Sequence, residues 1–363
     1  MKEKQLRKNG DVDVKLSRRT FLHDSLLAGG AVAGAGFFQT FITMNVAHAA
    51  AGSFNFAWVS DTHLYPKTLN TRFVEKATRA FKEVQAQSGS IDFMIFGGDL
   101  AQKGDPVELA LGADLLKEVK VKKHFIPGEH DWYLDMGETW NSQFGESPWK
   151  FDHKGVRIIG LNTVGQAPDY WTAKGMTPTE RMGHMEALDG SQAGPWAGLG
   201  KKQLEWLSSA LSDWPKGEPV IIFTHNPLYE VYAGWNFWVR DWRDVHEIIG
   251  PYKNVTNIHG HVHQPLYHEV GGARFIGQLA TSWPWPYSPT GVPALTKPMI
   301  RVDPGDHFDG VGWGMLKMAG NTVDYEYKMW RKDVFATAEV DSGTGDNRNQ
   351  VLTPRIADRD WVY

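Results

Sequence analysis

The sequence predicts an α/β protein, and three observations carry that prediction. Strand-length apolar runs alternate with segments whose apolar residues recur at helical spacing. Run after run ends in Asp, Glu or His, often beside glycine. The runs are mostly apolar throughout, as in parallel strands buried on both faces. The central example is Ile91-Asp92-Phe93-Met94-Ile95-Phe96-Gly97-Gly98-Asp99. Its two glycines let the backbone turn where the strand ends. Asp99 is thereby delivered to the carboxyl edge of the sheet, where open α/β folds gather their ligands.

Composition narrows the class. The 363 residues suffice for one large domain or two medium ones. A formal charge of −4 gives no reason to expect nucleic acid as a partner. The absence of cysteine excludes disulfides, thiolate metal sites and a cysteine nucleophile. Fourteen histidines are the more informative residues.

The first fifty residues read as targeting sequence. Ser17-Arg18-Arg19-Thr20-Phe21-Leu22 resembles the twin-arginine export signal. A Gly/Ala-rich, moderately apolar segment follows from Leu26 to Val46, and Ala47-His48-Ala49 offers a small-x-small cleavage site. Residues 1–49 are therefore expected to be removed. The alternative is retention as an uncleaved anchor, which the glycines disfavour. The resemblance implies the twin-arginine machinery as a partner, export of the folded protein, and a periplasmic product with no stable membrane anchor.

The elements then follow in order. Phe54 to Ser60 reads as the first strand and runs into Asp61-Thr62-His63. Alone, an Asp-x-His triplet also suits a solvated turn. Thr71 to Gln87 is a helix with Phe73, Ala77, Ala80, Phe81 and Val84 inward. After the strand ending at Asp99, Asp105-Pro106 caps a second helix reaching about Lys120. Lys123 to Pro127 is a third strand, ending in Gly128-Glu129-His130-Asp131. Val156 to Asn162 is a fourth, entered by a turn at Lys154-Gly155.

Periodicity is lost from about residue 164 to 200, read either as an insertion over the active face or as a packed surface subdomain. A helix returns around Gln203 to Trp214. Pro219 to Thr224 and Val255 to His259 are buried strands, ending at His225 and at Gly260-His261-Val262-His263. Ala273 to Gln278 is a further strand, and Gly314–Met318 and Thr322–Lys328 form a hairpin turned at Gly320-Asn321. Trp283 to Tyr287 is an aromatic, proline-stiffened loop. Residues 50–335 thus read as one domain, followed by a polar tail at 336–363.

Asp61, His63, Asp99, Glu129, His130, Asp131, His225, His261 and His263 all fall just past apolar runs. Any one alone would default to a core histidine or a capping carboxylate. Together, imidazole and carboxylate donors suit Mn, Fe, Zn or Co rather than Ca. Their number fits two ions about 3.5–4 Å apart.

This pattern resembles the calcineurin-like metallophosphoesterases. The matching motifs are Asp61-Thr62-His63, Gly98-Asp99, Gly128-Glu129-His130-Asp131, His225 and Gly260-His261-Val262-His263. The resemblance implies a four-layer sandwich of two mixed β-sheets flanked by α-helices. It implies Asp61, His63, Asp99 and His263 on one ion and Asp99, Glu129, His225 and His261 on the other. The ions would be Mn, Fe or Zn, and the substrate a small-molecule phosphoester. A hydroxide between the ions would attack phosphorus, His130 would serve the leaving oxygen, and Asp131 would orient His130.

Two departures matter. The family has Asn where this chain has Glu129, and purple acid phosphatases have Tyr where it has Gln102. The extra negative charge of Glu129 leads to an expected preference for diesters. A monoesterase, or a metal-binding or redox-linked protein without turnover, are the alternatives.

Overall fold

Phe54, Phe56 and Trp58 point one way from the first strand, and Ala57 and Val59 the other. Both sets are apolar and buried, so this strand needs cover on both faces. The computed structural model describes residues 52–166, 195–231, 236–284 and 307–330, with residues 177, 180 and 183 and the backbone of 335–336 and 351–352. The predicted signal segment lies outside the described residues, as do much of the 164–200 stretch, 285–287 of the aromatic loop, and most of the tail.

One sheet has the order β11-β10-β1-β2-β3. Its strands are β1 (Phe54–Val59), β2 (Phe93–Phe96), β3 (Lys122–Phe125), β10 (Gly312–Ala319) and β11 (Thr322–Met329). The second sheet has the order β4-β5-β6-β7-β9-β8. It contains β4 (Trp149–His153), β5 (Val156–Gly160), β6 (Pro219–Thr224), β7 (Asn254–His259), β8 (Leu266–Val270) and β9 (Ala273–Gly277). Strands β1-β2-β3 and β5-β6-β7-β9 run parallel, and β10, β4 and β8 pair antiparallel to their neighbours. Two short strands, β12 (Phe335–Ala336) and β13 (Val351–Leu352), pair separately.

The sheets face each other across an aromatic layer. Phe56 meets Phe223 edge-on at 5.6 Å, and Trp58 stacks on Phe223 at 5.9 Å. Each such pair adds about 0.5–1.5 kcal/mol beyond its buried area. Helices α1 (Thr71–Ala86) and α2 (Pro106–Leu116) cover the outer side of the first sheet. Helices α5 (Gly200–Ser212) and α6 (Trp242–Ile249) cover that of the second. Two short helices, α3 (Glu129–Trp132) and α4 (Glu138–Phe144), follow β3. The two mixed sheets with helices outside are the sandwich that the sequence predicts.

Seven of the described elements were not read from the sequence: β4, β8, β12, β13, α3, α4 and α6. Strands β4 and β8 lie at sheet edges, and their half-exposed residues break any continuous apolar run. Helices α4 and α6 are seven and eight residues long, with one and two buried side chains. Helix α2 stops at Leu116 rather than near Lys120, although Val119 beyond it is still buried. Phe73 is also not packed inward with Ala77 and Phe81, but half-buried at the helix start.

Candidate metal centre

Five of the predicted ligands occupy the left-handed backbone region. The φ angles are 56° at Asp61, 46° at His63, 53° at Asp99, 64° at His261 and 49° at His263. Asp and His are among the few non-glycine types that tolerate this conformation, which otherwise costs about 1–2 kcal/mol per residue. Each turn swings a side chain off its strand end into one shared space. Gly98 (φ 98°) makes this possible beside Asp99, because a Cβ there would lie 2.6 Å from the His225 ring and from the Gly128 nitrogen. A Cβ on Gly128 would lie 2.1 Å from the Asp99 carboxylate.

The side chains form two groups joined at Asp99. In one, Asp61 Oδ1 lies 3.2 Å from His263 Nε2, which lies 3.3 Å from His63 Nε2. In the other, His225 Nε2 lies 3.1 Å from both Asp99 Oδ2 and Glu129 Oε2, and His261 Nδ1 lies 2.8 Å from Glu129 Oε1. The same Asp99 Oδ2 is 3.6 Å from His63 Nε2. All seven residues are buried. The space between them is a small cavity, lined also by His130, Phe237 and Trp283. A roomier groove of about 560 Å³ along α1 holds no such donor cluster, so donor chemistry and not size locates the site.

Hydrogen bonds fix which nitrogens face inward. His225 Nδ1 lies 2.8 Å from the Gly97 carbonyl, and His263 Nδ1 lies 2.8 Å from the Trp283 carbonyl. A carbonyl can only accept, so each Nδ1 carries a proton, and each Nε2 is the atom turned to the centre, able to offer a lone pair once it is deprotonated. His63 Nδ1 is held likewise by Gln102 Oε1 at 2.9 Å. Asp61 accepts from Ser60 Oγ at Oδ2 and from the His261 backbone N–H at Oδ1, and that same Oδ1 faces His263.

The electrostatics call for added positive charge. Burial raises Asp99 well above the ordinary carboxylate range, and neighbouring Glu129 adds to it. Burial would raise Glu129 too, but His261 and His225 outweigh it and hold that carboxyl well below its usual range. Burial opposes the His225 imidazolium, yet Asp99 and Glu129 raise it well above the ordinary histidine value. Glu129 Oε2 and His225 Nε2 are close without being aligned for a hydrogen bond, and both are otherwise orphaned. Buried, orphaned, convergent imidazole and carboxylate atoms fit metal ions.

Metal must displace protons from His225 and Asp99, both of which are raised. Affinity for Mn²⁺ is therefore expected to rise with pH, by about ten-fold per pH unit for each proton released, and to level off above those raised values. Isotherms from pH 5 to 8 check this; a flat profile would exclude proton-coupled binding.

His130 and Asp131 fall differently. His130 Nδ1 lies 2.6 Å from the Gln102 carbonyl, and its ring packs edge-on to His63 at 4.7 Å. Asp131 does not orient it. The Asp131 carboxylate instead accepts the Ala101 N–H at 2.9 Å and the Gly128 N–H at 3.1 Å, tying α3 to the segment after β2. Burial pushes the Asp131 carboxyl up to about 7. A carboxylate at the third position of a helix is drawn to the free N–H groups at the helix start, and that attraction prevails. Gln102 is thus the residue that sequence reasoning undervalued. It orients two histidines at once, one through its side chain and one through its backbone. Its only signal in the sequence was its place three residues after Asp99.

A calcineurin-like phosphoesterase profile matches residues 54–265. The chain is 23% identical over 233 residues to a 3′,5′-cyclic adenosine monophosphate phosphodiesterase of Haemophilus influenzae, covering 61% of this chain and 74% of that one. It is 25% identical over 215 residues to a probable glycerophosphodiester phosphodiesterase of Arcobacter nitrofigilis, covering 57% and 70%. Its fold is similar to that of a dimetal phosphatase from Danio rerio, with a TM-score of 0.52 at 15% identity over 75% of this chain and 95% of that one. The fold and the match over more than half of the chain define a metallophosphoesterase. The chain belongs to the calcineurin-like phosphoesterase family, and it is a hydrolase of phosphoesters.

Proposed function

We propose that this chain is a two-metal phosphodiesterase. Asp61, His63, Asp99 and His263 would hold one ion, and Asp99, Glu129, His225 and His261 the other. The observation that carries this reading is Asp99 Oδ2, placed 3.6 Å from His63 and 3.1 Å from His225, one in each group. When bound, the ions would supply Lewis acidity to the phosphoryl oxygens and lower the pKa of water.

The chain's own residues supply the rest. The carbonyls of Gly97 and Trp283 and the amide of Gln102 hold three imidazoles in the ligating tautomer. His130 stands at the cavity wall with its Nδ1 committed to Gln102, so its Nε2 is the atom available to a leaving oxygen. Glu129 adds a third carboxylate, and its charge partners in the site are His225 and His261. Two divalent ions bring four positive charges, and the three carboxylates leave one; the usual Asn would leave two.

One unit of charge at contact is worth on the order of 4 kcal/mol at a surface-like dielectric. Losing it penalises a dianionic monoester more than a monoanionic diester. Two relatives are named as diesterases, which supports the same class. Glu129→Asn is expected to raise the monoester-to-diester ratio of kcat/KM by about ten-fold or more, equal to ~1.4 kcal/mol. An unchanged or falling ratio with both ions bound would discard the diester assignment.

We further propose export through the twin-arginine route, motivated by Arg18 and Arg19. Their joint replacement by Lys is expected to leave the precursor in the cytoplasm. Mature protein still recovered from the periplasm would overturn this.

A further inference from the structure

Three partly exposed rings run outward from the ligands and take no part in the scheme above. Trp283 lies against His63 and His263, with centroids 4.2 and 4.8 Å away. Phe73 stacks on Trp283 at 5.5 Å with 25° between the planes. Tyr65 follows Phe73 at 6.4 Å. Helical spacing would bury Phe73 with Ala77 and Phe81, yet it joins this strip instead.

The strip is fixed, not draped. The buried Lys76 ammonium donates to the Ser282 carbonyl. Ser282 N–H and Oγ–H both donate to the Asp61 carbonyl. The next carbonyl, that of Trp283, accepts from His263. Trp283 is therefore anchored to both ends of one ligand group, and its ring is a preorganised part of the cavity lining. The rim of the other group carries Phe237, 4.9 Å from His261.

We propose that Trp283 and Phe73 form a stacking platform for the organic group of the substrate. The site thereby selects phosphoesters bearing a planar aromatic ring over aliphatic ones of equal bulk. This rests on the reading above that the phosphoryl group binds at the ligands. A flat ring gains offset-stacked contact and quadrupole attraction on an indole, and a puckered ring gains neither. The ring could be a simple aryl group or a nucleobase.

The test is calorimetric binding to Mn²⁺-loaded protein of methyl phosphinates, monoanions whose P–C bonds cannot be hydrolysed. One carries a 2-phenylethyl group, one a 2-cyclohexylethyl group and one a 5′-deoxyadenosin-5′-yl group. The phenyl compound is expected to bind about ten-fold more tightly than the cyclohexyl one. Trp283→Leu, which keeps the backbone carbonyl, is expected to bring that ratio near one. Phe73→Leu should lower it part of the way without contact to any ligand, and it decides the matter if Trp283→Leu loses metal. Tighter binding of the adenosine compound than of the phenyl one assigns the platform to nucleobases, and the reverse to aryl groups. A ratio near one in the unaltered protein, or one unchanged in both variants, would overturn the proposal. Selective binding without turnover of any ester would instead count against the hydrolytic reading alone.

Discussion

Asp99→Ala is expected to release both metal ions and to lower phosphoester turnover more than about 10³-fold. The basis is geometric. Asp99 Oδ2 is the atom shared between the two ligand groups, while Oδ1 accepts the His130 N–H at 3.1 Å. Loss of a paired site removes several kcal/mol of charge stabilisation. Alanine at a φ of 53° also carries a backbone penalty of about 1–2 kcal/mol, which could mimic a metal effect by weakening the fold. Asp99→Asn separates the two, because Asn tolerates that conformation and keeps the shape but not the charge. Elemental analysis of purified protein is the measurement. Two equivalents of metal retained in Asp99→Ala would end the shared-ligand assignment.

His130→Ala is expected to cost about 10²–10⁴-fold on diesters with poor leaving groups and much less on nitrophenyl diesters, which need no proton. Metal content should stay near that of the unaltered protein. With Nδ1 held by the Gln102 carbonyl, an acid role requires a proton on Nε2 and hence the imidazolium. Burial lowers the His130 value below 6.5, with Glu129 and the Gln102 contact opposing. The imidazolium is then present only below that lowered value. Rates on poor leaving groups should accordingly fall as pH rises through it, and the variant should lose that limb. Equal losses on both kinds of ester would assign His130 to substrate positioning instead.

The candidate ligands and most core strands were legible for related reasons. Strands β1, β2 and β6 are largely apolar, so the polar residues at their ends stand out, whereas β7 is half polar and His261 and His263 were legible through their Gly-His-x-His spacing. Glu129 and His130 follow the less apolar β3, and their place after Gly128 carried the reading there. What stayed hidden depends on tertiary partners. The edge strands β4 and β8 carry polar residues because one side faces solvent. Asp131 appeared to be an orienting carboxylate, and only the positions of Ala101 and Gly128 reveal it as a tie between segments. The supporting carbonyls of Gly97, Gln102 and Trp283 have no side-chain signature at all. Neither does the left-handed backbone at five candidate ligands, since Asp and His tolerate that conformation without being confined to it.

The strand order of the first sheet has a consequence for a chain still being synthesised. Strand β1 lies between β2 and β10, and Phe54 pairs with Met318 from far along the chain. Every candidate ligand and the Trp283 carbonyl that orients His263 have been made by residue 283, yet β1 keeps a bare edge until Ala319 follows, about 36 residues later. At roughly 5–20 residues per second that interval is about 2–7 s. During it, a nascent chain can gather its metals while offering an unpaired apolar strand to any neighbour. The species most exposed to edge-to-edge pairing during synthesis is thus a nearly finished one, with its candidate ligands already made and one strand edge still bare.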